Sequence, residues 1–298
     1  MVNPLWRRIE GINQVVLPSL IFNTKSARVV VKIQTGKGFL IQYIMTLQVQ
    51  YTAQGFCFLP DRTIDQKFLK TAQEGLLAVR DETFDTGVPP SSHPGYDPGK
   101  LCKINNAHLA NHALYAMLVE STLGERIAEV TGSKMVQVWA SQLLIKPPGS
   151  EKAGRVGWHQ DRQYWQYWQR DEGLFTAWIA LDDVKEESGP MQLVPGSHCW
   201  GFLGQGDFFN SDQETLRASI EIPAGERWEE VSALLPAGGV SLHHSLTFHG
   251  SQENISNRAR CSLAVHLRDE QAEPVLGNKN YYVSHLGDMQ YNPVIFQG

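Results

Sequence analysis

The sequence predicts an α+β protein, mainly β: a jelly roll of short antiparallel strands with a supporting helical layer. Three observations carry this reading. Helix-period apolar patterns are confined to residues before about 131. From Met135 the chain changes to short β-type runs separated by turn residues. No internal repeat or low-complexity linker interrupts either half. Short strands of this kind pack as two facing sheets, and a pocket can open between them.

Taken in order, residues 52–59 read as a short strand containing Gly55. Asp61 then opens a helix with Thr63 and Gln66 in a capping-box relation, and Ile64, Phe68, Ala72, Leu76 and Val79 form its buried stripe. The density of Gly, Pro, Ser and Asp over 84–99 marks a long loop of the kind that lids a site. A second helical region covers 108–130, divided at Gly124 and stopped by Gly132. Strands follow at 136–145, 175–181, 191–194, 239–243 and 261–268. In the last of these Cys261, Leu263, Val265 and Leu267 point to one side, leaving Arg260 and Ser262 on the other.

A chain of 298 residues that is 42% hydrophobic can bury one substantial core, so a single catalytic domain over 45–298 is expected. The net charge of -5 leaves no electrostatic footprint for nucleic acid, and no apolar run approaches the length that spans a bilayer. Neither nucleic acid nor membrane is an expected partner; a small molecule is. Cys57, Cys102, Cys199 and Cys261 lie far apart without CxxC spacing, which argues against a disulfide framework or structural zinc and for a reducing cytoplasm. Residues 1–44 carry Arg7, Arg8, Lys25, Arg28, Lys32 and Lys37 against the single acid Glu10. Pro18 interrupts their apolar stretch, which speaks against a secretory signal. The expectation is a basic N-terminal extension or a mistaken upstream start, with no catalytic role and the domain beginning near Met45.

The chemistry concentrates at Gly157-Trp158-His159-Gln160-Asp161. On a strand, His159 and Asp161 share a face. With a distant third histidine they form a 2-His-1-carboxylate set, which leaves positions open on an octahedral iron(II). Alone, His-x-Asp is common and most often means a polar strand surface. The third ligand must come from His243, His244 or His249, and His249 is followed eleven residues later by Arg260. Arg260 and Ser262 on one strand face make a carboxylate anchor: a guanidinium fork grips two oxygens while the hydroxyl adds a third bond, each charge-assisted bond contributing roughly 1.5–3 kcal/mol.

The run 138–268 resembles the phytanoyl-CoA dioxygenase family. The matching stretches are Trp158-His159-Gln160-Asp161, Ala177-Trp178-Ile179-Ala180-Leu181-Asp182-Asp183, residues 189–198 (Gly-Pro-Met-Gln-Leu-Val-Pro-Gly-Ser-His), and His249-Gly250-Ser251 with Arg260. The resemblance implies a double-stranded β-helix of the cupin-like kind. It also implies iron(II) on His159, Asp161 and His249, 2-oxoglutarate as cosubstrate on Arg260, and Trp178, Gln142 and Lys103 as further cosubstrate contacts, with O2 as oxidant. Halogenating relatives have a small residue where this chain keeps Asp161, so hydroxylation of a small organic metabolite is favoured. Desaturation, epoxidation and ring rearrangement use the same ligands.

Gln160, Arg162, Tyr164, Trp165 and His244 are the candidate substrate contacts, with Gln163, Tyr167 and Trp168 beside them. The aromatic residues wall a pocket or simply fill core, two readings of equal weight. His243 ranks below His244, His198 reads as a structural turn residue, and Arg258 lies nearer the turn than Arg260. The rival classes are a non-catalytic jelly-roll binding protein and a zinc hydrolase. The second lacks a general base placed like that of His-Glu-x-x-His.

Overall fold

The structure is a computed structural model that describes residues 21–22, 28–34, 40–61, 63–149 and 154–298. The described residues begin with three strands, β1 (Ile21–Phe22), β2 (Arg28–Gln34) and β3 (Leu40–Thr46), which pair antiparallel as a sheet of their own. Next come α1 (Leu47–Gln54), β4 (Phe56–Leu59), α2 (Gln66–Arg80), β5 (Cys102–Asn105), α3 (His112–Val119) and α4 (Leu123–Thr131). The second half runs through β6 (Met135–Lys146), β7 (Val156–His159), β8 (Leu174–Ala180), β9 (Met191–Leu193), α5 (Gln213–Ser219) and β10 (Val231–Ser232). It ends with β11 (Val240–His244), β12 (His249–Ser251), β13 (Arg260–Arg268), α6 (Tyr281–Ser284) and β14 (Val294–Gln297). The role expected for residues 1–44 falls largely outside the described residues.

The larger sheet has the order β14-β6-β13-β8-β11-β4, with β5 also paired to β6; the smaller is β10-β9-β12-β7. The two-residue period of the strands sorts their side chains. Leu263, Val265 and Leu267 of β13, Phe175, Ala177 and Ile179 of β8, and Val240 and Leu242 of β11 pack with Phe68, Ala72, Leu76, Leu114 and Ile127 of the helices. The opposite face sets Leu144, Trp178 and Ala264 against Met191 and Leu193 of the smaller sheet. Each such side chain, fully buried, contributes roughly 1.5–3 kcal/mol. The result is a two-sheet jelly roll with helices on the outer face of the larger sheet.

The helical half departs from the sequence reading in detail. Residues 47–54 are helical, not extended: Thr46 caps α1 by accepting from the Val49 N–H, and Gly55 (φ +80°) ends it, so the strand starts at Phe56. The expected capping box before α2 is not made. The Ile64 N–H instead donates to the Gly238 carbonyl, and Thr63 Oγ1 is buried without a partner. The region 108–130 breaks at 120–122, with Asn111 capping α3, and Gly124 sits inside α4. A Cβ there would lie 2.1 Å from the Ile295 carbonyl oxygen, so the glycine serves close packing of α4 on β14. Loop 84–99 does not lid the central cavity. It runs along the edge of β5, where the Ser91 N–H donates to the Asn105 carbonyl and the Asn105 N–H to that of Ser92.

One strand of the larger sheet is interrupted by a β-bulge. His266 pairs with Ala140 but Leu267 pairs with Val138, so Trp139 is an extra residue in β6. The bulge turns Trp139 into an aromatic cluster with Trp165, Tyr167 and Trp168.

Candidate active site

The cavity between the sheets has a volume of about 210 Å³. At its inner end β7 and β12 lie antiparallel with His159 opposite His249, which brings the two imidazoles to 4.1 Å between centroids. Asp161 is not on the strand, as the sequence reading had it. It opens the one-turn 3-10 helix Asp161–Tyr164, and the turn at Gln160 swings its carboxylate under both rings. The Nε2 atoms of His159 and His249 each lie 3.7 Å from Asp161 Oδ1.

The ring orientations suit a cation. His159 Nδ1 donates to the Gly157 carbonyl (2.8 Å) and His249 Nδ1 to that of Thr247 (3.0 Å). Those bonds place the protons on Nδ1 and leave both Nε2 lone pairs converging with the carboxylate. One ligand atom from each of the three residues falls within 4.8 Å of the others, and all three residues are buried. Burial drives His249 well below the ordinary imidazole value. Two neutral imidazoles and one carboxylate are the donor set that a divalent transition metal takes.

A second layer holds the carboxylate. Thr176 Oγ1 donates to Asp161 Oδ2 at 2.7 Å, and His243 Nε2 lies 3.3 Å from the same oxygen. His266 Nδ1 reaches Thr176 Oγ1 at 3.0 Å, and burial lowers its pKa to about 4. The ranking of His243 below His244 is therefore reversed. Val240 and Leu242 face the helices, and His243, on the other face of β11, lines the cavity. His244 turns away to lie 5.8 Å from the ring of His198, with its Nδ1 accepting from the Leu246 N–H. The alternation of β11 was the signal that could have found His243.

Further along the cavity Arg260 is 3% exposed. Its guanidinium lies over the Trp178 ring at 5.0 Å, and one Nη donates to the Gly189 carbonyl. Its Nε has no partner, and among the described residues no carboxylate pairs with it. Burial lowers its pKa to about 10, against a smaller upward pull from Cys261 and Asp182. Ser262 shares the face of Arg260 but does not line the cavity; its hydroxyl points to the Leu144 carbonyl (3.5 Å). The serine that lines it is Ser251, two residues after His249, whose hydroxyl accepts from Lys146 Nζ at 2.7 Å. Lys146, fully buried, also donates to the Gln252 carbonyl and so fastens β12 to β6. Trp178, Gln142 and Lys103 all line the cavity, Lys103 with its ammonium 4.4 Å from the Phe208 ring centroid.

Of the candidate substrate contacts, Tyr164 and Trp165 line the cavity and Gln160 and Arg162 do not. Gln160 donates to the Gly201 and Leu246 carbonyls and accepts from the Leu203 N–H. Gln163 donates to the Gly206 carbonyl, and Tyr164 Oη accepts from the Phe208 N–H. These residues strap the loop 201–212 across the mouth, with Phe208 5.2 Å from the His159 ring. Gly157 admits that loop, since a Cβ there would lie 2.1 Å from the Asp207 carbonyl oxygen. Arg162 spends its guanidinium on Asp171 and on the Trp165 and Trp168 carbonyls.

A family model described as Phytanoyl-CoA dioxygenase (PhyH) matches residues 95–262, more than half of the chain. The chain is 28% identical over 188 residues to a probable alpha-ketoglutarate-dependent hypophosphite dioxygenase of Stutzerimonas stutzeri, covering 61% of this chain and 62% of that protein. It is 26% identical over 273 residues to the ectoine dioxygenase of Halomonas elongata, covering 82% and 76%. The first relative is thus matched over little more than three fifths of its length. Among solved structures, the non-heme alpha ketoglutarate dependent carbocyclase SnoK from nogalamycin biosynthesis superposes with a TM-score of 0.62 at 21% identity, over 80% of this chain and 89% of that one. That likeness places the fold among cupin-like jelly rolls.

Proposed function

The chain belongs to the phytanoyl-CoA dioxygenase family, and we propose that it acts there as an iron(II)- and 2-oxoglutarate-dependent oxygenase that oxidises, by hydroxylation, a small organic molecule. One observation carries the reading: a buried His159-Asp161-His249 set with converging lone pairs shares its cavity with a buried arginine whose Nε has no partner and which, among the described residues, makes no ion pair with a carboxylate. An unpaired guanidinium in a low-dielectric wall is costly unless an anion arrives to meet it.

In this reading His159 Nε2, His249 Nε2 and Asp161 Oδ1 hold the metal. Bound there with 2-oxoglutarate and O2, iron(II) supplies the oxidising chemistry, with succinate and carbon dioxide as coproducts. Arg260 takes the far carboxylate of the oxo-acid, with Trp178 fixing the plane of the guanidinium and Ser251 offering a hydroxyl. Thr176 fixes the second oxygen of Asp161, with His243 beside it, so that the first would be free for the metal. Phe208 and the aromatic wall exclude water from the reacting centre. The relatives are named for hypophosphite and ectoine, both small molecules, in keeping with the cavity volume of about 210 Å³.

Residues 45–298 form the oxygenase domain in this proposal, with 1–44 an extension that adds no ligand. A reducing cytoplasm is supported by four free cysteines. Among the described residues no helix is long and apolar enough to cross a membrane.

Succinate measured by mass spectrometry tests the reading. It forms from 2-oxoglutarate only when iron(II) is supplied, and His159→Ala abolishes it. An iron-loaded protein that forms none is instead a binding protein.

A further inference from the structure

We propose that His266, with Trp139 beside it, is the substrate-orienting pair of the cavity, and that the substrate it fits is a molecule presenting a hydroxyl group. The inference rests on the oxygenase reading and extends it to substrate class.

Hydrogen-bond accounting locates each proton. Thr176 has a single hydroxyl proton. It lies 2.7 Å from Asp161 Oδ2, a carboxylate oxygen that can only accept, so the proton goes there. Thr176 Oγ1 is then an acceptor towards His266 Nδ1 at 3.0 Å, and the proton of that contact belongs to the imidazole. A neutral ring protonated on Nδ1 has a lone pair on Nε2. The ring is 5% exposed, stacks on Trp139 at 5.3 Å and meets Trp165 edge-on at 5.0 Å; among the described residues no carboxylate pairs with it. Its Nε2 is buried without a partner.

Trp139 supplies the complement. Its indole, 1% exposed, lines the same cavity, and its Nε1–H also lacks a partner. Buried acceptors and donors are rarely left unmade, and here one of each stands on neighbouring stacked rings. A hydroxyl is the group that offers both functions: an oxygen to accept from the indole and a proton to donate to the imidazole. A carboxylate would meet the lone pair of Nε2 with another lone pair, and an ammonium would leave the indole N–H unanswered. The β6 bulge at Trp139 and the register of β13 bring the two rings together, on strands that also carry Gln142 and Arg260. The hydroxyl therefore docks on the same scaffold that holds the cosubstrate anchor, and its carbon body lies against aromatic faces.

The test uses the full chain loaded with zinc(II) as a diamagnetic stand-in and 2-oxoglutarate, with 15N-labelled histidine; His266→Gln assigns the resonance. Cyclohexanol, 1-indanol and 2-tetralol serve as probes, each against its methyl ether. The expected result is an unprotonated His266 Nε2 whose resonance moves with the alcohols and not with the ethers. In the iron-loaded enzyme, kcat/KM favours alcohols over ethers by roughly tenfold, the worth of one neutral hydrogen bond, and His266→Phe removes that preference. A protonated Nε2, a resonance that no alcohol moves, or equal shifts with alcohol and ether would overturn the inference. Wild-type iron enzyme that forms no succinate with any compound would instead overturn the oxygenase reading, and the resonance experiment on zinc protein keeps the two failures apart.

Discussion

Thr176→Val removes one hydroxyl and keeps the shape of the side chain. In the wild type that hydroxyl donates to Asp161 Oδ2 at 2.7 Å and accepts from His266 Nδ1 at 3.0 Å. A hydrogen bond to a charged group contributes about 1.5–3 kcal/mol, and the orphaned imidazole N–H adds a desolvation cost of about 1–3 kcal/mol. Part of this appears as lost fold stability, a fall of roughly 1.5–2 °C in Tm per kcal/mol for a chain of this size. The rest appears at the metal, because Oδ2 then loses its hydrogen bond and the carboxylate turns more freely. Losing such outer support costs about 10–100-fold in metal affinity. Anaerobic titration with iron(II), or with cobalt(II) as a coloured substitute, reads the change directly. A variant that binds metal as tightly as the wild type would refute the reasoning that Thr176 orients the ligand.

Arg260→Met keeps the bulk but removes the fork, so KM for 2-oxoglutarate should rise by about 10–100-fold from the loss of charge-assisted bonds; initial rates of succinate formation against 2-oxoglutarate concentration check it. Gly124→Ala forces a methyl to within 2.1 Å of the Ile295 carbonyl oxygen, which is backbone and cannot give way; a loss of about 1–3 kcal/mol in denaturant unfolding is expected. The forked Arg155–Glu253 pair holds the Glu253 carboxyl down to about 2, chiefly through its hydrogen bond to Arg155. A depressed carboxylate stabilises the fold above its ordinary pKa near 4.5 and loses that contribution as pH falls towards 2. After solvent screening this is on the order of 1 kcal/mol, so Glu253→Gln should flatten that part of the stability profile between about pH 4.5 and 2, measured by unfolding at a series of pH values.

The part of the architecture that was legible in the sequence comes from local periodicity. The phase of β13 separates Leu263, Val265 and Leu267 from Arg260 and Ala264, and that phase alone turns Arg260 towards the smaller sheet. The two-residue spacing of His159 and Asp161 marked a candidate ligand pair, and the two side chains do come together although the strand ends between them. Non-local contacts were illegible. Gln160 looks like a pocket residue beside a ligand, yet its amide is consumed by Gly201, Leu203 and Leu246, at least forty residues away. Thr176 hides inside an apolar strand, and its role appears only when β8 is laid beside His266 and Asp161. Ser262 and Ser251 differ in which hydroxyl meets the cavity, a matter of where β12 lies, and a buried Lys146 fastens that strand.

Metal content per chain after anaerobic loading and desalting tests the central claim most directly. The wild type should retain one iron(II), and Asp161→Ala almost none, while its helical and strand signals in circular dichroism persist. An Asp161→Ala chain that keeps the full iron complement would show that the metal sits elsewhere and contradict the account.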